Sequence, residues 1–193
     1  MTLNPVCDIF RFHGAYGIMD KWITQTYELC NRDKDATIKK LKKDKDDRGK
    51  IKELHAKRKS SNGSDYHKIG EEIDRLVRAR NVNLEDLQTI RLRDHYFDFH
   101  WITTQGATKY LTDIKKTIES FTHGITVNII TGRGKHSPKI QGTPQSASNN
   151  SYLQQHLLNE FGHCLQQKIS EEGVLVLTIR KKKTCGEVIR MNR

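Results

Sequence analysis

Thr131-Gly132-Arg133-Gly134-Lys135-His136-Ser137 gathers much of this chain's candidate chemistry into one run. Glycine tolerates positive φ and lets backbone N–H groups approach a bound anion. Arg and Lys bind phosphate, and His moves protons near neutral pH. A second set lies upstream, in Tyr96-Phe97-Asp98-Phe99-His100-Trp101-Ile102. Read as a strand, its side chains alternate between faces. Asp98 and His100 then share one face, with Cα atoms roughly 6.5–7 Å apart, while Phe97 and Phe99 point into a core. An acid beside a His at a strand end is an acid/base pair by type and spacing. A polar strand end with a capped His accounts for the same residues without chemistry.

Positioning these groups requires strands that end at them. Val127-Asn128-Ile129-Ile130 has three β-branched residues among four, reads as a buried strand, and delivers the glycine run. The spacing predicts a first strand over 95–102. A helix follows from Thr103 or Thr104, with Ala107, Tyr110, Leu111, Ile114, Ile118 and Phe121 on one face, ending at His123-Gly124. A second strand over 125–130 leads through the glycine turn and a polar loop at 142–150 to a helix over 151–164. That helix packs Leu153, Leu157 and Phe161. Strands near 166–170 and 174–180 flank a Glu171-Glu172-Gly173 turn. Crossovers from the first strand to the second, and from the second onward, predict parallel pairing. Active groups then gather at the carboxyl ends of the strands, where both motifs fall.

The N-terminal half reads differently. Residues 1–31 form a segment in which Trp22, Ile23 and Tyr27 can share a helix face. From Arg32 to Lys59 charges dominate, and Ile38, Leu41, Ile51 and Leu54 make a thin apolar stripe. This is a solvated helix or linker, or else an electrostatic arm that follows an RNA backbone. After a break at 60–64, Tyr66, Ile69, Ile73, Leu76 and Val77 have amphipathic helical spacing, continued by Leu84, Leu87 and Ile90. The net charge of +11 over 193 residues points to a polyanionic partner, nucleic acid first. A membrane partner is not expected, since no long apolar stretch or lipidation motif is seen. The apolar content of 35% and mean hydropathy of −0.74 suggest a solvated helical part beside a compact core. Cys7, Cys30, Cys164 and Cys185 lack zinc-site spacing and read as free thiols in a reducing compartment. No signal peptide is apparent, so the expected location is cytoplasmic, with the nucleus as alternative.

Together, Asp98-Phe99-His100-Trp101 and Thr131-Gly132-Arg133-Gly134-Lys135-His136-Ser137 resemble the small MutS-related (Smr) domain. That family carries Asp-Leu-His-Gly after its first strand and Thr-Gly-x-Gly, often with x-His-Ser, after its second. Ser137-Pro138-Lys139-Ile140 and Gly173-Val174-Leu175-Val176-Leu177 also look like the family. The likeness covers about residues 94–182, and Trp101 stands where the family usually has Gly. The implied fold is α/β, a compact βαβαββ Smr-type sandwich with parallel and mixed strands, preceded by a charged helical extension. The domain reading is an N-terminal segment (1–31), the extension (32–93), an Smr domain (94–183) and a basic tail (184–193).

The candidate set has no evident nucleophile–base triad, and Ser137 before Pro138 suits a turn. It holds one acid, fewer than the carboxylates of a two-metal nuclease. A metal site of Asp98, His100 and His136 is the weaker reading, and no metal or other cofactor is expected. What remains is a phosphate clamp with proton-transfer groups, which suits RNA, whose 2′-hydroxyl can be the nucleophile. His100 would be general base or acid and Asp98 would orient it. Arg133 would stabilise the transition state, Lys135 would hold the neighbouring phosphate, and His136 is the second proton-transfer candidate. Gly132, Arg133, Gly134, Lys135, Ser137 and Lys139 are the candidate nucleic-acid-binding residues. The resemblance implies an endoribonuclease, with mRNA on stalled ribosomes in no-go decay as the substrate of some eukaryotic members. Three other readings stand beside it: a non-catalytic RNA- or ribosome-binding module, a scaffold whose N-terminal segment recruits partners, and a DNA-nicking nuclease.

Overall fold

The computed structural model describes residues 20–88, 94–121, 125–131, 152–167 and 173–177. Three helices come first: α1 (Asp20–Leu29), α2 (Lys34–Lys59) and α3 (Gly63–Arg80), followed by a 3₁₀ turn at Leu84–Gln88. Then come β1 (Asp94–Asp98), α4 (Thr104–Glu119), β2 (Thr126–Ile130), α5 (Tyr152–Phe161), β3 (Leu165–Gln167) and β4 (Val174–Leu177). The described chain is therefore mixed α/β, with five α-helices and a four-stranded sheet.

The strand order is β1-β2-β4-β3. β1 and β2 are parallel, as their crossover requires, with Phe97 opposite Ile129 and Asp98 opposite Ile130. The expectation of a second parallel neighbour is corrected: β2 pairs antiparallel with β4, and among the described residues β3 pairs with β4 alone. The crossover through α5 thus leaves a gap that β4 fills. The first strand is also shorter than expected. It stops at Asp98, and His100 and Trp101 lie in a turn. α4 begins at the expected place, because the Thr103 side chain accepts a bond from Gly106 N. It ends at Glu119 with Ser120 as C-cap. The end expected at His123-Gly124 is thus corrected: Ser120 N donates to Thr117 O and Phe121 N to Ile118 O, a tightened last turn that leaves Phe121 past the helix, while the loop expected at 142–150 lies outside the described residues.

The two sheet faces bury different partners. Phe97, Ile129 and Leu175 line up across the sheet and join Leu111 and Ile114 of α4 and Leu157 of α5 in one core. Phe99 belongs to it as well and stacks on Tyr110 at 5.2 Å. The same core takes in Ile51 of α2 and Ile69, Ile73 and Val77 of α3. On the opposite face Tyr96, Ile130 and Val174 pack with Trp22, Ile23 and Tyr27 of α1 and Leu41 of α2. The shared helix face read for Trp22, Ile23 and Tyr27 is thus the buried one.

α2 packs as part of the fold. Its buried residues include Leu41 and Ile51 together with Thr37, Asp44 and Asp47. Asp33 caps its first turn, accepting from Ala36 N, and Lys57, Arg58 and Lys59 stand where the dipole is negative.

β1 is an edge strand, and two side-chain amides satisfy its outer backbone groups. Gln25 accepts from Tyr96 N at 2.7 Å and donates to Tyr96 O at 2.8 Å. Asn81 accepts from Asp98 N at 2.7 Å and donates to Asp98 O at 3.0 Å. Each amide acts as one residue of a missing strand, which closes the edge to further pairing and fixes where Asp98 sits.

Candidate active site

Asp98 is the last residue of β1 and is buried. Beyond it the chain turns: Phe99 N still donates to Ile130 O at 2.8 Å, and Ile102 N donates to Phe99 O at 3.3 Å. The turn folds His100 back over the carboxylate. Asp98 Oδ1 accepts from His100 N at 2.9 Å and lies 2.6 Å from His100 Nδ1. The two side chains meet as the sequence predicts, by a different route. They do not share a strand face; a backbone hydrogen bond to the same oxygen holds the turn closed.

A carboxylate only accepts, so Nδ1 is the donor in this pair. Among the described residues nothing bonds the outer ring nitrogen, Nε2, which can act as a base when neutral and as an acid when protonated. Since the His100 side chain is 42% exposed, that nitrogen can meet a ligand.

The second oxygen of Asp98 faces inward. Oδ2 accepts from Arg80 Nη2 at 2.7 Å and lies 3.4 Å from Arg48 Nη2. Arg80 Nε donates at 2.6 Å to Asp44 Oδ1. Arg48 Nε lies 2.9 Å from Asp44 Oδ2, an ion pair that lacks hydrogen-bond geometry. A chain of paired polar groups therefore runs Asp44–Arg80–Asp98–His100, with Arg48 along its flank. Burial pushes the Asp98 carboxyl up. The His100 hydrogen bond and the charges of His100, Arg80 and Arg48 outweigh that and hold it well below the usual carboxylate range. Burial also opposes the charged form of Arg80, but Asp98 and Asp44 overcome it and push its pKa up.

Trp101 follows at φ +66°, the left-handed region that favours glycine. It is held from outside. His55 Nε2 lies 2.7 Å from Trp101 O, and Lys52 Nζ is 5.2 Å from the indole centroid. The His100 and Trp101 rings meet edge-on at 6.3 Å. One face of α2 thus presents Arg48, Lys52 and His55 to the turn.

Thr131 follows β2 and is the last described residue of that segment. Its N and Oγ1 donate to Gly173 O at 2.8 and 3.0 Å. The residue before it, Ile130, is the register partner of Asp98. The sequence continues directly into the glycine run. Of the expected site residues, Asp98 and His100 are brought together. Gly132, Arg133, Gly134, Lys135, His136, Ser137 and Lys139 lie outside the described residues. Among the described residues there is no group of three or more metal-ligating side chains, and no helix is long and apolar enough to cross a membrane. Cys30 and Cys164 are free thiols, while Cys7 and Cys185 lie outside the described residues.

Sequence reasoning missed Asp44, Arg48 and Arg80. The readable signal was helical period rather than hydropathy. Positions 37, 41, 44, 48, 51 and 55 recur every three or four residues, so Asp44, Arg48 and His55 fall on the face that carries Leu41 and Ile51. In comparisons with known proteins, the chain matches no family model, no curated protein and no solved structure.

Proposed function

We propose that this chain is an Smr-type endoribonuclease in which Asp98 and His100 form the proton-transfer pair. The observation that carries the reading is the 2.6 Å contact between Asp98 and His100 Nδ1 at the carboxyl end of β1, beside the strand that leads into Thr131-Gly132-Arg133-Gly134-Lys135-His136-Ser137. A capped structural His would not need an acid clamped by buried charge, with the outer nitrogen unbonded among the described residues. The left-handed turn at Trp101 also suits the resemblance, since the family pattern has glycine there.

In the proposed reaction the 2′-oxygen of RNA attacks the adjacent phosphorus and the bond to the 5′-oxygen breaks. His100 Nε2 takes the 2′-hydroxyl proton or supplies one to the leaving oxygen. Arg133 and Lys135 neutralise phosphate charge, and His136 is the partner in proton transfer. The products are a 2′,3′-cyclic phosphate and a 5′-hydroxyl. The charge of +11 favours a polyanion, and the resemblance favours mRNA on ribosomes as the source of the strand. The test is cleavage of labelled RNA by the full chain in EDTA, alongside Asp98→Ala, His100→Ala and Arg133→Ala. Loss of cutting in all three, with RNA binding kept in His100→Ala, supports the reading. Parent-rate cutting by the first two overturns it, and a parent chain that binds RNA but never cuts makes it a binding module.

A further inference from the structure

We infer that Arg80, anchored by Asp44, is a positioning residue for His100: it holds the Asp98 carboxylate so that His100 keeps its proton on Nδ1 and its free nitrogen outward. Arg80 belongs to α3 and Asp44 to α2, so helices ahead of the sheet complete the pair at its edge.

The Arg80 side chain is 1% exposed, so it does not reach a substrate. Its planar fork instead spans two carboxylates, with Nε on Asp44 at 2.6 Å and Nη2 on Asp98 at 2.7 Å. Asp98 is thereby divided between two tasks. Oδ2 is occupied by Arg80, which leaves Oδ1 for the two His100 donors. A carboxylate torsion is soft and roughly two-fold on its own. With one oxygen locked by a buried guanidinium, the other has a single direction. Asp44 matters because a guanidinium held by one partner could pivot about it. Arg48 is a poor substitute, since its side chain is 24% exposed and its contact with Asp98 is 3.4 Å long. Outer groups of this kind fix the tautomer and orientation of a functional His.

The catalytic half of this inference rests on the proposed RNA cleavage; the tautomer half stands without it. The test therefore has two readouts on the full chain. The first is long-range ¹H–¹⁵N correlation of histidine-labelled protein near neutral pH, which reports the His100 tautomer directly. The second is kcat and KM for RNA. The variants are Arg80→Met, Arg80→Lys and Asp44→Asn, with circular dichroism as the check on folding. The parent should show His100 with Nδ1 protonated. All three variants should shift it toward a mixture, Met most, because Lys keeps a charge but cannot span both acids. The kcat should fall about 10- to 100-fold in Arg80→Met, with KM within about two-fold, the pattern of a group that never touches substrate. A folded Arg80→Lys or Asp44→Asn with an unchanged tautomer overturns the inference, whatever the cutting rate. Failure of both to fold overturns it too, since the network would then serve the fold alone. If the parent cuts no RNA, the functional reading fails and the tautomer shift still decides the positioning role.

Discussion

Replacing Asp98 with Asn keeps the shape of the side chain and removes its charge, and the surroundings leave no comfortable orientation for the amide. Oδ1 of Asp98 faces two donors of His100, and Oδ2 faces donors of Arg80 and Arg48. Either flip of the introduced amide sets its NH₂ against N–H groups. Arg80 also stays buried, with the charge of Asp44 still beside it. Breaking a buried ion pair by removing one partner costs about 3–5 kcal/mol, a large share of the about 5–15 kcal/mol that a domain has. With a urea m-value of about 2 kcal/mol/M, the midpoint should fall by about 2 M. The pH dependence adds a second signature. A carboxyl held below its usual range contributes stability above its unfolded value of about 3.9. That contribution is lost as pH falls through this value toward the folded one. The gap between parent and Asp98→Asn should therefore shrink by about 1 kcal/mol between pH 5 and pH 3. Urea denaturation followed by circular dichroism at these pH values measures both effects. A midpoint loss below about 0.5 M, or a gap that widens between pH 5 and pH 3, would refute the buried network as described.

Other consequences follow from packing. Ile51→Ala should cost about 2–5 kcal/mol and leave one unfolding transition, because Ile51 shares a core with Phe97, Phe99 and Ile129; a separate early transition for α2 would contradict that sharing. Gly106→Ala should cost about 1–3 kcal/mol: a Cβ there would stand 2.1 Å from the Asp74 carboxyl carbon, and Asp74 is bonded to Thr103 N and Oγ1 at the start of α4. Thermal melts at parent level would mean that Asp74 does not sit there. Trp101→Gly should be more stable than Trp101→Ala by about 1 kcal/mol, since φ +66° strains any residue with a Cβ; equal melting temperatures would place Trp101 outside the left-handed region.

Much of the sheet was legible because apolar periodicity reports burial. Phe97 and Phe99 and the α4 face follow from it, and the parallel β1–β2 pair follows from the helical crossover between them. The antiparallel insertion of β4 was not legible, since β3 is three residues long and short strands carry no pattern for their neighbour. The pairing of Asp98 with His100 was expected from strand alternation and arises from a turn, so the contact was foreseen and its cause was not. Arg32–Lys59 misled in another way. Hydropathy treats Asp44 and Arg48 as solvated, yet Asp44 is buried because Arg80 neutralises it. Mutual pairing decides the burial of charge, and pairing between α2 and α3 is a tertiary fact.

The most direct test of the central claim is the chemistry of the cut ends. The full chain is incubated with a mapped RNA oligonucleotide in EDTA, and with the same strand carrying one 2′-deoxy residue at the cut position. The products are then analysed for their termini. The account predicts 2′,3′-cyclic phosphate and 5′-hydroxyl ends from the RNA, and an intact bond at the deoxy position. Cutting at the deoxy position, or 5′-phosphate ends that appear only with added divalent metal, would contradict it.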